Sequence, residues 1–596
     1  MLMTYQKFGN CVPLYFSEGS LRQHYELRAR ALTILCGVGP QDEPFMSPRD
    51  GRRLRIGFIN RHFAPQTETY TTLPSFEMLD PERFEVILFA HNRTDTPLEN
   101  YAREKVSEFR LLPAEIDAQV QILRDAALDV AVFGTNVTAV FNEVTRLALY
   151  RVAPCQIINN SSCTTSGMPH ADIYVSGKLT EGPEAPAHFS ERLALLPGPT
   201  HSFDYEADKQ EPSQTFTRAT FGFPEDATVF VTAANYYKII PEMQEQWAQL
   251  LAAVPGSRLL VHPFNPNWSS SYPIKRFCAE FDRVLAKHGV SSDRLAVSSM
   301  KFPSRTDVAE LMRVGDIYLD TFPFAGVNSL VDPLEAGIPT VAWEGATFRS
   351  RMAAGLLRSL GLDELIATDA ASYQAIALRL AKDTAWRDAL KVRIQEKMTR
   401  TPEFLDMLAS SDSFGALVEN VYDELYCVGR EEFRKDRTPI AVPVPADPAA
   451  LIAEGSSLLE AGLAGEATNR AWQVLGALPN SPEARHLMGR ALLAQGRMNR
   501  AVDYLLAAVQ HAESNAALWQ DLAIALRRSD RITEALQALE VCVRVDEKRL
   551  ESWLMLGEWS LEANNPDMAN EVVKLLQQLA PDDARVLSLA ARVGPI

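Results

Sequence analysis

The sequence predicts two successive α/β halves, each built around a mostly parallel sheet, followed by an all-α region of helical repeats. Three observations predict this fold class. Apolar runs of strand length alternate with helix-length stretches in two successive series, and a charged, proline-rich segment follows them. Beyond that segment, small and aromatic residues recur every 34 positions. Alternating strands and helices indicate βαβ units, and a fixed period of this length is typical of stacked helix pairs.

The first α/β half is predicted to span residues 52–210, after an N-terminal arm at 1–51 whose helical pattern covers 19–35. The predicted strands lie at residues 53–59, 84–89, 130–133, 156–158 and 173–175, and the predicted helices at 118–127 and 137–149. A polar segment, residues 205–218, joins this half to the next.

The second half is predicted at residues 211–427 and repeats the same alternation. Its strands are predicted at residues 227–232, 258–262, 295–298, 317–319 and 340–342, and helical stretches at 404–408 and 411–426 close it. The chain therefore carries two Rossmann-like halves in tandem. Residues 428–448 are rich in proline and charge, and they predict an extended linker.

The C-terminal region, residues 449–596, carries the 34-residue period. Two series of small residues show it: Gly455, Gly489, Ala523 and Gly557, and Ala467, Ala501, Ala535 and Ala569. Trp519 and Trp553 share another repeat position. Small residues where two helices touch, and large ones where they interlock, resemble the tetratricopeptide repeat. We expect four repeats that form a short superhelix, whereas a plain helical bundle is the alternative.

Composition limits the classes of partner and compartment. The 596 residues carry a formal charge of −17, which disfavours a nucleic-acid partner because phosphate binding draws on clustered cations. Seven scattered cysteines without a C-x-x-C pair suggest a reducing compartment and neither zinc nor disulfides. No apolar run approaches eighteen residues, and the N-terminus lacks the layout of a signal peptide. We therefore predict a cytoplasmic protein without a transmembrane segment.

Residues 316–342 predict a strand, a turn, a short helix and another strand. In such a unit the free N–H groups at the start of the helix, around Asn328 and Ser329, can hold a diphosphate. A carboxylate one turn later, Asp332 or Glu335, would accept hydrogen bonds from a ribose. Many α/β proteins carry the same local pattern without binding a nucleotide. Whether this unit forms a nucleotide site must therefore be judged from other parts of the chain.

Eight segments resemble, in order, the catalytic region of the protein O-linked N-acetylglucosamine transferase family, glycosyltransferase family 41. They are residues 60–66, 151–156, 165–167, 235–241, 319–326, 332–339, 350–354 and 361–367. The resemblance covers about residues 53–426 and implies a fold of the GT-B type. That family usually carries tetratricopeptide repeats before the catalytic region, whereas here they follow it.

The resemblance implies a set of donor-binding residues on the second half. Lys238 matches the lysine that binds the donor diphosphate, and Asn235 matches a polar residue near the same phosphates. Asn328 and Ser329 stand where the family has two threonines, and Asp332 matches the aspartate that binds the ribose. Arg305 falls near a basic residue that contacts the base or its phosphates.

The catalytic candidates are Lys238, Gln66 and His62. Gln66 stands where the family has a histidine near the acceptor and the sugar, and glutamine cannot take a proton at neutral pH. His62, Glu68, Tyr70 and His201 are therefore left open as sources of a general base. Two further departures from the family are Val327, which replaces a histidine, and the loop that carries Trp268, a candidate for stacking on a sugar or base.

The implied reaction is an inverting transfer of a sugar, foremost N-acetylglucosamine from UDP-N-acetylglucosamine, to a Ser or Thr hydroxyl of a protein. No cofactor and no metal are implied, since no Asp-x-Asp set that would chelate a divalent ion is evident. The repeats would dock the protein or peptide acceptor, and a homodimer is an open possibility. The alternatives are transfer of glucose, transfer to asparagine, and a catalytically inactive scaffold.

Overall fold

The computed structural model describes residues 9–206, 210–264, 271–302 and 304–593, so Trp268 lies outside the described residues. The chain divides into two compact units, Met1–Val442 and Pro443–Ile596. The first unit holds two α/β halves with parallel sheets, and the second is helical. The predicted fold class is therefore confirmed.

The first half contains an eight-stranded sheet in which every strand pair is parallel. Its strands are β1 (Leu54–Asn60), β2 (Phe84–Ala90), β3 (Glu108–Leu111), β4 (Val130–Phe133), β5 (Cys155–Ile158), β6 (Ile173–Gly177), β7 (Arg192–Leu196) and β14 (Ile440–Ala441). The spatial order is β14-β7-β6-β5-β4-β1-β2-β3.

The second half contains a six-stranded parallel sheet of order β10-β9-β8-β11-β12-β13. These strands are β8 (Val229–Thr232), β9 (Arg258–Val261), β10 (Leu295–Val297), β11 (Ile317–Leu319), β12 (Thr340–Trp343) and β13 (Ile366–Ala367). Strands β8 and β11 are buried throughout, as expected for a sheet that is covered by helices on both faces.

Helices connect these strands. Those of the arm and the first half are α1 (Arg22–Leu35), α2 (Thr67–Thr72), α3 (Pro97–Glu104), α4 (Ile116–Asp125), α5 (Glu143–Leu147) and α6 (Ala185–His188). Those that follow are α7 (Pro241–Ala253), α8 (Ile274–Lys287), α9 (Arg305–Met312), α10 (Asn328–Glu335), α11 (Phe348–Ser359), α12 (Ala370–Lys382), α13 (Thr384–Thr399), α14 (Met407–Val428) and α15 (Arg430–Lys435).

Both sheets reverse their strand order at one point, β1 beside β4 in the first half and β8 beside β11 in the second. At such a point the connections leave toward opposite faces of the sheet and open a crevice at the carboxyl ends of the strands. The loops that follow β8 and β11 carry Asn235, Lys238 and Asn328. The topology therefore gathers these predicted donor-binding residues at one edge of the second sheet.

Two local predictions are wrong. The segment 428–448 was expected to be extended, but α15 lies within it and β14 pairs with β7. Arg430 and Arg434 bind the buried carboxylate of Asp172 at 2.5 and 3.0 Å, so this charged run fastens the chain to the first half. The helix expected at 137–149 is confined to α5, because the Asn142 side chain caps it by accepting from the Thr145 N–H.

The N-terminal arm touches both halves ahead of α1, which begins at Arg22 rather than at residue 19. On the first half, the Cys11 N–H donates to the carbonyl of Ala139 at 2.7 Å. On the second half, the Glu18 carboxylate accepts from the Ala346 N–H, also at 2.7 Å, next to the start of α11. The arm therefore ties the loops of the two halves together.

The second unit consists of helix pairs at the predicted period. Its helices among the described residues are α16 (Pro448–Glu460), α17 (Ala464–Leu475), α18 (Pro482–Ala494), α19 (Met498–Val509), α20 (Ala516–Arg528), α21 (Ile532–Val545), α22 (Leu550–Glu562), α23 (Pro566–Leu579) and α24 (Ala584–Val593). A Cβ atom at Gly489 would lie 2.6 Å from the Leu505 side chain, which explains the small residue at this position.

One repeat position forms the same contact in three repeats. The indole N–H of Trp519 donates to the carbonyl of Glu513, and that of Trp553 donates to the carbonyl of Glu547, both at 2.8 Å. Arg485 stands 34 residues before Trp519, and its Nε donates at 2.8 Å to the carbonyl of Pro479, again six residues earlier. An arginine therefore replaces tryptophan here without loss of the bond.

Among the described residues, no helix combines the length and the apolar character needed to cross a lipid bilayer.

Candidate functional site

Lys238 lies in the loop that follows β8 and reaches the loop that follows β11. Its Nζ donates to the carbonyl of Ala325 at 2.7 Å and lies 3.9 Å from the centroid of the Phe324 ring. Ala325 precedes the first residue of α10, Asn328, by three positions. The ammonium group is therefore held beside the start of this helix, where free N–H groups favour an anion.

A buried carboxylate lies beneath this loop. Asp320 is fully buried, and its Oδ1 accepts from the Gly326 N–H at 2.9 Å. Burial raises the pKa of Asp320 to about 6, and Lys238 opposes this shift. Burial in turn lowers the pKa of Lys238, while Asp320 raises it. Each of the two groups thus favours the charged form of the other.

The turn between β11 and α10 requires a glycine. A Cβ atom at Gly326 would stand 2.6 Å from the Ser329 Oγ and 2.7 Å from the Asp320 Oδ1. Contacts this short cannot be accommodated without moving the backbone or the carboxylate. Gly326 therefore lets the chain pass close over Asp320 before α10 begins.

Asn328 and Ser329 are the first two residues of α10. The Asn328 Oδ1 accepts a hydrogen bond from the Tyr205 hydroxyl, which comes from the segment between the halves. The residue before the helix is Val327, whose side chain provides no cap. The helix start thus lacks the side-chain cap that a Ser, Thr, Asp or Asn before it would provide.

Arg305 forms ion pairs with both acidic candidates for ribose binding. Its Nε lies 2.7 Å from the Asp332 Oδ1, and its Nη2 lies 2.6 Å from the Glu335 Oε2. Burial raises the pKa of Asp332 to about 7 although Arg305 lowers it. The structure therefore brings Arg305, Asp332 and Glu335 into one cluster one turn inside α10.

The Asn235 side chain has no hydrogen-bond partner among the described residues. Both of its polar atoms are buried. A buried amide without partners costs free energy that a ligand can recover. Asn235 lies three residues before Lys238 at the same end of β8, where the resemblance implied a contact with phosphate.

The candidates of the first half lie in different surroundings. Gln66 is exposed just before α2. His62 is half-buried, its Nδ1 accepts from the Ala64 N–H at 3.3 Å, and Arg61 and Glu99 act on its pKa, which burial lowers. Tyr70 contacts the ring of Tyr205 at 5.0 Å. Among the described residues, neither Gln66 nor His62 forms a hydrogen bond or an ion pair with Lys238.

Glu68 and His201 are the two remaining general-base candidates with an electrostatic link to Lys238. The Glu68 Oε1 accepts from the Asn136 N–H at 3.0 Å, and burial raises the pKa of this carboxyl. Burial raises the pKa of the Cys163 thiol; Glu68, from the first half, adds to this shift, and Lys238, from the second half, opposes it. His201 is buried, and burial lowers its pKa to about 4, with Lys238 adding to the shift.

Three residues of this site were not predicted as candidates: Asp320, Phe324 and Tyr205. Asp320 and Phe324 lie in the turn between β11 and α10, but no pattern in the sequence indicates that they contact Lys238. Tyr205 lies in the polar joining segment and is only 8% exposed. The sequence feature that could have indicated a buried role for Tyr205 is the presence of an aromatic residue in a polar segment.

No group of three or more His, Cys, Asp or Glu side chains that could hold a metal ion is found among the described residues. The expectation of a reaction without metal stays a prediction.

Comparison with known proteins confirms the predicted resemblance. Residues 200–408 match the family model described as glycosyl transferase family 41. A second model, described as bacterial transcriptional activator domain, matches residues 459–553, within the helical repeats.

The curated proteins that resemble this chain are also named as glycosyltransferases. The chain is 25% identical over 431 residues to a protein of Solanum lycopersicum named "Probable UDP-N-acetylglucosamine--peptide N-acetylglucosaminyltransferase SPINDLY", covering 70% of this chain and 44% of that protein. It is 28% identical to the SPINDLY protein of Hordeum vulgare, with 70% and 43% covered. The chain thus spans less than half of the length of these relatives.

A solved structure shares the fold. The structure of a point mutant of the Thermobaculum terrenum O-GlcNAc transferase superimposes with a TM-score of 0.58 at 22% identity, over 71% of this chain and 77% of that one.

Proposed function

From its match to glycosyl transferase family 41, we propose that this chain transfers a sugar from a UDP-sugar, foremost UDP-N-acetylglucosamine, to a Ser or Thr hydroxyl of a protein. The observation that carries the proposal is the position of the Lys238 ammonium, 2.7 Å from the Ala325 carbonyl in the turn that leads into α10. A cation and a helix start side by side form a binding site for a diphosphate.

In the proposed mechanism Lys238 and the start of α10 hold the diphosphate from two sides. As the bond between the sugar and UDP breaks, negative charge grows on the departing diphosphate. An ammonium group already in place stabilises that charge without reorganising at the moment of reaction. Asp320 supports this role because its carboxylate favours the charged form of Lys238.

The nucleoside would lie along α10. The Asp332 carboxylate would accept hydrogen bonds from the ribose, and the unpartnered amide of Asn235 would meet the phosphates or the sugar. Arg305, which already binds Asp332 and Glu335, would keep the carboxylate in place. These roles account for the donor-binding candidates of the second half without a metal ion.

We propose Glu68 as the general base for the acceptor hydroxyl. It lies on α2, which follows β1 in the first half, and its charge, like that of Lys238, acts on the thiol of Cys163. Burial raises the pKa of its carboxyl toward the range in which a carboxylate accepts a proton efficiently. The hydroxyl would displace UDP directly, so the anomeric carbon would invert.

The helical repeats would concentrate the protein acceptor near the site. Superhelical repeats present extended surfaces for peptides, and a second binding contact raises the effective concentration of a linked substrate. We propose this docking role and a cytoplasmic location. Transfer of glucose, or transfer to asparagine, remains the alternative that the exposed Gln66 leaves open.

Two measurements test the proposal. UDP-N-acetylglucosamine at about 100 times its dissociation constant should add about 2.7 kcal/mol to the free energy of unfolding, seen as a higher melting temperature. With an acceptor lysate, the same donor should yield UDP and peptides modified on Ser or Thr by mass spectrometry. UDP-glucose is the matched donor control. Binding of UDP without transfer of any sugar would instead support an inactive scaffold, and no binding at all would refute the proposal.

A further inference from the structure

Tyr205 links the segment between the two halves to the start of α10. Its hydroxyl donates to the Oδ1 of Asn328, 123 positions further along the chain. The ring is nearly buried, at 8% exposure, although the surrounding segment is polar. A buried tyrosine normally binds its hydroxyl to a partner, and here the partner is a residue of the proposed diphosphate site.

Three side chains pack against the Tyr205 ring. The guanidinium carbon of Arg305 lies 3.8 Å from the ring centroid, a distance typical of a cation–π stack. The ring of Tyr70 approaches at 5.0 Å between centroids, and that of Phe203 stacks at 5.7 Å. Because its neighbours cover it, the ring is not free to stack on a nucleotide base. Its contribution to the site must act through the residues that it holds.

The hydroxyl contact orients the Asn328 amide. An asparagine side chain carries one oxygen acceptor and two N–H donors, and the two ends are rotated into place by their partners. When the Oδ1 accepts from Tyr205, the Nδ2 is turned the other way, and neither of its hydrogens binds another of the described residues. An amide fixed in this orientation donates to an anion at the helix start, and it pays no ordering cost when the anion arrives.

The ring contact orients Arg305. The stack fixes the plane of the guanidinium group, and ion pairs at its edge reach Asp332 and Glu335 at 2.7 and 2.6 Å. A planar, multiply bonded arginine is held in one geometry, which a lysine could not reproduce. Tyr205 therefore contacts Asn328 at the proposed phosphate end of the site and Arg305 at the proposed ribose end.

We infer that Tyr205 is a positioning residue that preorganises Asn328 for the diphosphate and Arg305 for the ribose-binding carboxylate, an inference that rests on the proposed function. It reaches the nucleotide site from the segment that joins the halves, and its ring contact with Tyr70 connects it to α2 of the first half. The donor site of the second half is thus completed by a side chain from outside that half.

The test compares binding of UDP and of uridine, which lacks the phosphates, to the full chain by calorimetry. Tyr205→Phe removes the hydroxyl and keeps the stack on Arg305. It should weaken UDP about 5- to 10-fold, the effect of one well-placed hydrogen bond, and change uridine less than about 2-fold. Tyr422→Phe is the matched control, since its buried hydroxyl donates to the Ser47 carbonyl of the N-terminal arm and to Asp129 of the first half. That control should leave both affinities unchanged.

A double-mutant cycle separates positioning from a general loss of structure. In an Asn328→Ala background, Tyr205→Phe should cause no further loss of UDP affinity, because the amide that it orients is gone. Tyr205→Leu, which also removes the stack, should weaken uridine as well as UDP. Equal weakening of UDP and uridine by Tyr205→Phe, or full additivity with Asn328→Ala, would overturn the inference. So would unchanged UDP affinity in Tyr205→Phe, while the proposed function would stand. If the wild-type chain bound no UDP, the proposed function and this inference would fall together.

Discussion

The Lys238 ammonium lies 3.9 Å from the centre of the Phe324 ring and donates to the carbonyl of the residue that follows it, Ala325. Two loops, one after β8 and one after β11, are joined by this single side chain. Since β8 and β11 flank the point where the strand order of the second sheet reverses, the contact spans the crevice of the Rossmann-like half. The cation is thus held at the place where the fold admits a ligand.

Replacing Lys238 with alanine should lower turnover about 10²- to 10³-fold, the scale of one preorganised donor in a transition state. The reason is the loss of the charge that stabilises departing UDP. The measurement is UDP release from UDP-N-acetylglucosamine under saturating donor. Lys301→Ala, at an exposed lysine, is the control and should retain turnover. Near-normal turnover of Lys238→Ala would remove the central assignment of the mechanism.

Asp320→Asn should move the alkaline limb of the pH profile of kcat/KM to lower pH. Asp320 raises the pKa of Lys238, so the neutral amide leaves a cation that loses its proton more readily. The asparagine oxygen can still accept from the Gly326 N–H, which keeps the turn intact. The profile is measured for both proteins at pH values from about 6 to 10. An unshifted alkaline limb would show that the carboxylate does not tune the lysine.

Much of the second half and its site could be predicted from the sequence, because parallel strands bring the loops at their carboxyl ends to one edge. Lys238 and the pair Asn328 and Ser329 follow strands with clear apolar patterns, so their proximity is a consequence of topology. Tyr205 could not be predicted, since its partner Arg305 lies 100 positions away and no local pattern reports that contact.

Two short elements, β14 and α15, were also not predicted from the sequence. Strand β14 has two residues, too few to show an alternation, and α15 is formed from a run of charges that resembles a solvated linker. Helix α15 is held by the buried Asp172, which forms ion pairs with Arg151, Arg430 and Arg434 from distant parts of the chain, and β14 is held by its pairing with β7. Local propensity does not encode a tertiary ion-pair cluster of this kind.

The affinity for UDP-N-acetylglucosamine should fall as the pH decreases below about 7. Burial raises the pKa of Asp332 to about 7, and the ionised carboxylate accepts from ribose hydroxyls more strongly than the protonated form, so protonation weakens binding of the donor. Asp332→Asn should bind more weakly at pH 8 and show a flatter pH dependence. Calorimetry between about pH 5.5 and 8.5 provides the test, with the UDP-sugar chosen because its diphosphate does not titrate in this range.

The same carboxyl has a predictable effect on stability. Its folded pKa of about 7 lies above the value of about 3.9 in the unfolded chain, so the folded state binds this proton more tightly. The contribution of Asp332 to stability is therefore greatest below about pH 4 and is lost as the pH rises toward 7. The unfolding free energy of Asp332→Asn should depend less steeply on pH in that window than that of the wild type.

Glu68→Gln should lower kcat about 10²-fold or more while leaving the KM for the donor nearly unchanged, since a general base acts on the acceptor. Glutamine retains the acceptor for the Asn136 N–H and removes only the ability to take a proton. His62→Gln is the matched control and should stay within a few-fold of wild type, because the charges that act on the pKa of His62 are Arg61 and Glu99 rather than Lys238. The reverse ranking of the two variants would transfer the role of base to His62.

Gly489→Ala and Gly465→Ala should change the stability of the repeats by different amounts. Both residues lie within helices, so an added methyl group gains about 0.5 to 1 kcal/mol at either site by restricting the unfolded chain. At Gly465 the new Cβ meets nothing within 4 Å, whereas at Gly489 it meets the buried Leu505 at 2.6 Å. Overpacking costs about 1 to 3 kcal/mol, so Gly489→Ala should be less stable than Gly465→Ala by roughly that difference. Hydrogen exchange of peptides from α17, α18 and α19 in the full chain measures it. Equal protection in the two variants would mean that α18 and α19 do not pack as closely as Gly489 and Leu505 indicate.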